Sequence, residues 1–150
     1  MSDNKKLFIV IIGCGRSGAY IANRMSREGH FLVVIDTQPE AFENLSAAFS
    51  GFRVEGDATE ISILRQAKIN QADLAVAATA DDNINLMVAQ IARKIFNVPK
   101  VIARVFKPER ESIYQSLGID TICPTTLFGD LIGDIYLEPP LDASEEEGKK

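Results

Sequence analysis

Gly13, Gly15 and Gly18 fall in the spacing G-x-G-x-x-G, inside the stretch LFIVIIGCGRSG at residues 7–18. That spacing suits the binding of a pyrophosphate. Gly13 permits a tight turn off a buried strand. Gly15 lacks a Cβ, so phosphate oxygens can approach the backbone. Gly18 lets the next helix pack against the strand. The helix that follows directs free N–H groups and its positive dipole end at the anion. Three glycines in six residues also occur in ordinary turns, so the motif needs context. Asp36 supplies some of it. This aspartate ends the apolar run FLVVID (31–36), 18 residues after Gly18. An acidic residue meets a ribose at an offset of roughly 20 residues in such motifs. Its carboxylate can accept hydrogen bonds from the 2′- and 3′-hydroxyls of an adenosine ribose, and it would repel a 2′-phosphate. A solvated aspartate at a strand end is the alternative. Thr37 beside it joins the candidate binding residues.

Little else in the chain has the residue types for catalysis. The single histidine, His30, falls in the turn before the second strand, at the end of the sheet away from a strand-end crevice. No Ser/His/Asp set, carboxylate pair or metal-ligand spacing is evident, so no catalytic residue and no metal ligand is expected. Cys14 and Cys123 form no C-x-x-C and read as small buried hydrophobes of a reducing compartment. The 150 residues suffice for one domain, with 46% apolar and 25% charged residues. A net charge of −5 argues against a nonspecific nucleic-acid binder or a ligand of anionic membranes. No apolar run approaches the roughly 20 residues of a membrane span. The polar start MSDNKK, followed by a strand the core needs, does not read as a signal peptide.

The elements that would position these residues alternate in type. Strands are expected at 7–12, 31–36, 52–57, 74–79, 100–105 and 119–123. Helices are expected at 17–28, 39–49, 60–68, 83–96 and 108–117. Phe42, Leu45 and Phe49 mark the buried side of the second helix; Ile61, Leu64 and Ala67 that of the third; Met87, Ile91 and Ile95 that of the fourth. Gly29 and Gly118 follow helices as stop signals, and Pro39 and Pro108 suit first turns. Five strand–helix repeats with short connections give an α/β fold, a Rossmann-like doubly wound parallel sheet of order 3-2-1-4-5-6. That order opens a crevice between strands 1 and 4. The small, polar segments 13–18 and 79–83 end those two strands.

A last helix, 125–136, carries Leu127, Phe128, Leu131, Ile132, Ile135 and Tyr136 in two adjacent stripes. Either the chain's own sheet or a second subunit must cover them. The remaining EPPLDASEEEGKK is polar and acidic and reads as a disordered tail, so the domain is expected to span 1–136 and the tail 137–150.

Residues 7–136 resemble the RCK/KTN (TrkA-N) domain, the N-terminal nucleotide-binding domain of Trk and Ktr potassium-transport regulators. The motifs GCGRSG (13–18), VID (34–36), GDAT (56–59) and ATADDNIN (78–85) carry the resemblance, with IARV (102–105) in support. The GDAT box is more specific than the glycine turn, since most Rossmann dehydrogenases lack it. The resemblance implies a non-catalytic domain that binds NAD, NADH or an adenine nucleotide (ATP, ADP or AMP). It places the phosphates at Gly15, Arg16, Ser17 and Gly18, and the ribose at Asp36. It places the adenine near Asp57, Ala58 and Thr59, and sets Thr79 and Ala80 beside the phosphates. Arg104 falls near the distal phosphate or a subunit contact. Some relatives carry a metal-binding Glu just after the proline that follows strand 6. This sequence reads Pro124-Thr125-Thr126, so no metal ligand carries over. Family regulators usually continue into a smaller C-terminal domain, and none is expected within these 150 residues. Helix 125–136 corresponds to the family's crossover helix, which implies a homodimer or a larger ring.

The expected function is therefore a cytoplasmic regulatory subunit that senses a nucleotide and gates a membrane potassium transporter, possessing no membrane insertion and no nucleic-acid ligand of its own. A small NAD-dependent oxidoreductase, a nucleotide domain regulating another partner, and a plain interaction domain are the alternatives.

Overall fold

The computed structural model describes residues 5–137; the expected tail at 138–150 lies outside them. Six strands form one parallel sheet: β1 (Phe8–Ile12), β2 (Phe31–Asp36), β3 (Phe52–Glu55), β4 (Leu74–Ala77), β5 (Lys100–Arg104) and β6 (Asp120–Ile122). Their order is β3-β2-β1-β4-β5-β6, as the repeat pattern predicts. The helices are α1 (Arg16–Arg27), α2 (Ile61–Gln66), α3 (Asp82–Gln90), α4 (Glu111–Ser116) and α5 (Pro124–Ile132). β1 sits at the centre with Ile9, Val10, Ile11 and Ile12 buried on both faces. Side chains of alternate parity then divide the core in two. Val10, Ile12, Val33, Ile35 and Val54 face α2 and α3, packing with Leu64, Val88 and Ala92. Ile9, Ile11, Leu32 and Val34 face α1, packing with Ala19, Ala22, Leu45 and Phe49.

Three expectations about helices need correction. The helix expected at 39–49 is only a 3-10 segment, Pro39–Asn44. Leu45 and Phe49 still reach the core, but from an irregular chain that Gly51 brings close against Leu32. The third helix is short, and Ile61 at its start is exposed rather than packed. On α3 only Ile91 of the expected stripe packs against the core, and the buried face is rotated from it. Met87 and Ile95 are exposed, while Asp82, Asn85, Val88, Ala89 and Ala92 are buried, and the helix ends in a wide π turn at Ile91–Ile95. The buried face includes two polar residues, which a search for apolar periodicity passes over.

The last helix is not covered by its own sheet. None of the residues of α5 or of the wide turn Gly133–Leu137 is buried, and Phe128 and Tyr136 are 69% and 78% exposed. Of the two ways of covering this face, the chain's own sheet supplies none.

Candidate functional site

The carboxyl ends of β1 and β4 diverge to opposite sides of the sheet and leave a cleft of about 410 Å³ between them. Gly13 forms the hinge. Its φ of +102° lies in the region open to glycine, and a Cβ there would meet the Ala78 carbonyl oxygen at 2.9 Å. The glycine thus does more than permit the turn, because it lets the ends of β1 and β4 touch. Gly18 serves packing as expected, since a Cβ on it would land on the Gly13 carbonyl. Gly15 is different in kind. A Cβ there would meet nothing within 4 Å, because the space faces the cleft.

The two helices whose N-termini reach the cleft are finished differently. The Asp81 side chain caps α3 by accepting from the Asn83 and Ile84 N–H groups at 2.8 and 3.2 Å. α1 begins at Gly15 with no side-chain cap and no acidic residue in its first turn. Its first N–H groups therefore remain available to an anion, and its dipole favours one.

Asp36 lies at the cleft wall with a double function. Its Oδ2 accepts from the Cys14 N–H at 2.7 Å and its Oδ1 from the Gln38 N–H at 2.8 Å. The carboxylate straps the glycine turn to the end of β2, while each oxygen keeps a further lone pair for a hydroxyl. Asn44 completes the strap by donating to the Cys14 carbonyl at 3.0 Å. The Cys14 thiol, fully buried beside Asp36, is pushed up to about 11, first by burial and then by the Asp36 charge. Both effects favour the neutral thiol over the thiolate, the form a nucleophile needs.

Arg104 crosses the floor. Its guanidinium donates to the Ala78 and Thr79 carbonyls at 3.0 and 2.8 Å and to Ser17 Oγ at 2.7 Å, joining β5 to the glycine turn across 87 residues of sequence. It also stacks over the Phe106 ring at 4.6 Å. No carboxylate forms a salt bridge with it; among the described residues the only such pair is Arg24–Glu28. Its Nε is buried without a hydrogen-bond partner. Burial pushes the guanidinium below its ordinary value, and the charge of Asp82 opposes that shift. A half-buried cation bonded only to neutral oxygens is an electrostatic invitation to an anion.

Of the thirteen expected site residues, eleven line this cleft: Gly13, Gly15, Arg16, Ser17, Asp36, Thr37, Asp57, Ala58, Thr79, Ala80 and Arg104. Gly18 and Thr59 stand behind it. Thr59 acts on its neighbour, donating its N–H and its hydroxyl to Asp57 Oδ1 at 2.9 and 2.7 Å, and this holds the Asp57 carboxyl below its ordinary value. Thr79 lines the cleft, but its hydroxyl is committed to Asn85 Oδ1 at 2.6 Å. Gly56 and Ile84 also line it and were not expected.

Sequence reasoning missed two residues that hold the cleft from behind. Asn85 is fully buried and saturated. Its Oδ1 accepts from the Thr79 N–H at 2.9 Å and from the Thr79 hydroxyl, and its Nδ2 donates to the Thr79 and Arg104 carbonyls at 3.1 and 3.0 Å. Asp82 accepts from the Phe106 N–H at 2.8 Å and the Lys107 N–H at 3.3 Å, and its carbonyl accepts from the buried Tyr114 hydroxyl. The available signal was their position, three residues apart at the start of a helix whose other buried positions follow in phase.

The fold and cleft define a Rossmann-like domain with its crevice at the topological switch point. Within that class the chain belongs to the TrkA-N domain family, whose profile matches residues 9–125. It is 40% identical over 116 residues to the Trk system potassium uptake protein TrkA of Streptomyces coelicolor, a match covering 77% of this chain and 52% of that protein. It is 34% identical over 116 residues to a TrkA homolog of Methanothermobacter thermautotrophicus, covering 77% and 53%. The chain thus spans about half the length of the curated relatives it matches. Among solved structures it superposes on the GsuK RCK domain with a TM-score of 0.73 at 26% identity, covering 93% of this chain and 29% of that one. Two further matches share the fold. The Kef C-terminal domain of Shewanella denitrificans, in an AMP-bound form, has a TM-score of 0.73 at 23% identity, covering 95% and 89%. The GsuK channel bound to NAD has a TM-score of 0.72 at 18% identity, covering 89% and 24%.

Proposed function

We propose that this chain is the nucleotide-sensing domain of a regulator of membrane potassium transport. It binds NAD(H) or an adenine nucleotide in the cleft, carries out no reaction on it, and passes the ligand's state to a cytoplasmic assembly docked on a transporter. One observation carries the reading. The uncapped start of α1, open at Gly15, faces the same cleft as Arg104, a cation with no carboxylate partner. These groups suit a pyrophosphate, with Asp36 at the place of a ribose. TrkA relatives support the regulatory role, and the AMP- and NAD-bound fold relatives support the ligand class. Against chemistry stand the protonated Cys14 thiol and the position of His30. That ring lies at the opposite end of the sheet, its Nδ1 accepting from the Leu7 N–H at 3.0 Å.

Communication requires assembly. Leu127, Phe128, Leu131, Ile135 and Tyr136 form an exposed apolar face of the kind a second copy of the chain would cover. Calorimetric titration with NADH, NAD, ATP, ADP and AMP tests the ligand. Absence of heat for all five at millimolar concentration would sink the proposal, and turnover of NADH would replace it with an oxidoreductase. Light scattering over a dilution series tests the assembly. A dimer or larger species that Phe128→Glu converts to monomer is expected, and a strict monomer at all concentrations would refute the role of α5.

A further inference from the structure

A second recess among the described residues is larger than the cleft. It has a volume of about 510 Å³ and opens at the other end of the sheet, beneath the end of α2. Its origin is a mismatch of lengths. β2 has six residues and runs about 20 Å. α2 also has six, and covers only about 9 Å of it. The first residues of β1, β2 and β3 therefore lack a roof on that face. Phe8 and Phe31 stand there in register on β1 and β2, and Phe52 on β3 pairs with Val33, two residues further along the same face, with Phe31 64% and Phe52 72% exposed. Val54 and Ala67 close the inner wall.

The ionisable groups lining this recess are all basic, beside the neutral Ser50 and Gln66. The chain carries 21 acidic against 16 basic side chains, yet no carboxylate residue lines the recess, while Lys68, Arg53 and His30 do. Arg53 lays its guanidinium over Phe49, 5.2 Å from the ring, on the opposite face of the sheet, which leaves Lys68 as the cation of this face. Lys68 occupies a position made for glycine. Its φ of 58° and ψ of 40° are left-handed, directly after the last turn of α2. A lysine there works against its own backbone preference, as residues at ligand contacts often do. His30 Nδ1 is occupied as an acceptor, so its neutral ring carries the proton on Nε2 and can donate.

We infer that this recess is a second ligand site, taking a small organic anion with an apolar body, such as an aryl or medium-chain alkyl carboxylate. Three phenylalanine rings take the body, and Lys68 and His30 take the head. The site does not rest on the nucleotide reading, since about 17 Å of strand separates Phe31 from Asp36.

The probe is 8-anilinonaphthalene-1-sulfonate, an apolar fluorophore with an anionic head, titrated into the full chain. Saturable binding is expected, displaced by decanoate about tenfold better than by neutral decanamide, a difference of about 1.4 kcal/mol. Saturating ATP or NAD should leave it in place; displacement by nucleotide would put the probe in the cleft and overturn the inference. Lys68→Gly should weaken binding at least fivefold without lowering Tm, because glycine suits that backbone. Phe52→Ser, at an exposed edge position, should abolish it. Unchanged affinity in Lys68→Gly would refute the anion site. A rise in affinity on deleting residues 1–4 would make the chain's own amino end the occupant, and loss of the signal with rising protein concentration would make it a second copy.

Discussion

Asn85 gives the sharpest test of how this cleft is built. Its side chain makes four hydrogen bonds inside the protein, three to Thr79 and one to Arg104. In Asn85→Leu the branched shape is kept, though the side chain is larger, and all four bonds vanish. The Thr79 carbonyl would still receive Arg104, but the Thr79 N–H and the Arg104 carbonyl would lose the Asn85 bond. Each buried polar group left unpaired costs ~1–3 kcal/mol, so the pair together should cost about 3–4 kcal/mol. For a domain of this size that lowers Tm by on the order of 10 °C. Asn85→Ala adds a cavity and should cost about 1 kcal/mol more. Urea denaturation of the wild type and both variants measures these differences directly. Both variants should also bind nucleotide more weakly, because Thr79 and Arg104 lose their common anchor. If Asn85→Leu costs less than about 1 kcal/mol, the buried network is not a structural clamp and the reasoning is wrong.

Gly15→Ala should cost at most about 1 kcal/mol of stability, as an N-cap change, yet weaken nucleotide binding at least tenfold; equal affinity would mean that phosphate does not approach that backbone. Gly18→Ala should instead cost ~4 kcal/mol or more, since its Cβ coincides with the Gly13 carbonyl, and thermal denaturation distinguishes the two. Arg16→Ala, at an exposed position, should leave Tm within about 2 °C and lower affinity for ligands with a pyrophosphate roughly tenfold while sparing AMP; calorimetry reads both. The Cys14 thiol binds its proton more tightly in the folded chain than in the unfolded one. Its contribution to stability is therefore complete below the ordinary value of 9.0 and lost as pH rises toward about 11. Cys14→Ala should flatten that part of the stability curve, and an unchanged curve would show that another group governs it.

The sheet was legible because its strands are buried on both faces. FIVII, FLVVID and LAVA are nearly uninterrupted apolar runs, and each is followed by a turn signal at the carboxyl end. The alternation of such runs with helical segments leaves few topologies. Segment 39–49 misled because Phe42, Leu45 and Phe49 have helical spacing, and spacing alone does not say that the backbone is helical. Two of them reach the core after the 3-10 segment has ended. The apolar face of α5 was legible as a stripe, but whether the chain could cover it was not. Coverage depends on where β6 ends at the sheet edge, and that is a property of the assembled fold.

The site divides along a similar line. Residues that act through their backbone were readable, since a missing Cβ leaves a mark in the sequence, as at Gly13 and Gly15 in the cleft and at Gly18 packed behind it. Asp36 was readable by its distance from them. Asn85 and Asp82 leave no such mark, because a buried polar residue interrupts the apolar pattern it belongs to. The search for periodicity then selects Met87, Ile91 and Ile95, of which Ile91 packs against the core while Met87 and Ile95 fall about one residue out of phase with the true buried face. That error has a physical content. At the carboxyl ends of β4 and β5 the backbone turns away from its ladder, leaving N–H and C=O groups that no strand can pair. An apolar helix face would abandon them at a cost of kilocalories each. The helix that covers this end must bring amides and carboxylates with it. Asn85 serves Thr79 and Arg104, and Asp82 serves Phe106 and Lys107. The polar positions of α3 are thus a consequence of placing a cleft at the switch point, and they occur where the strand-end backbone needs partners.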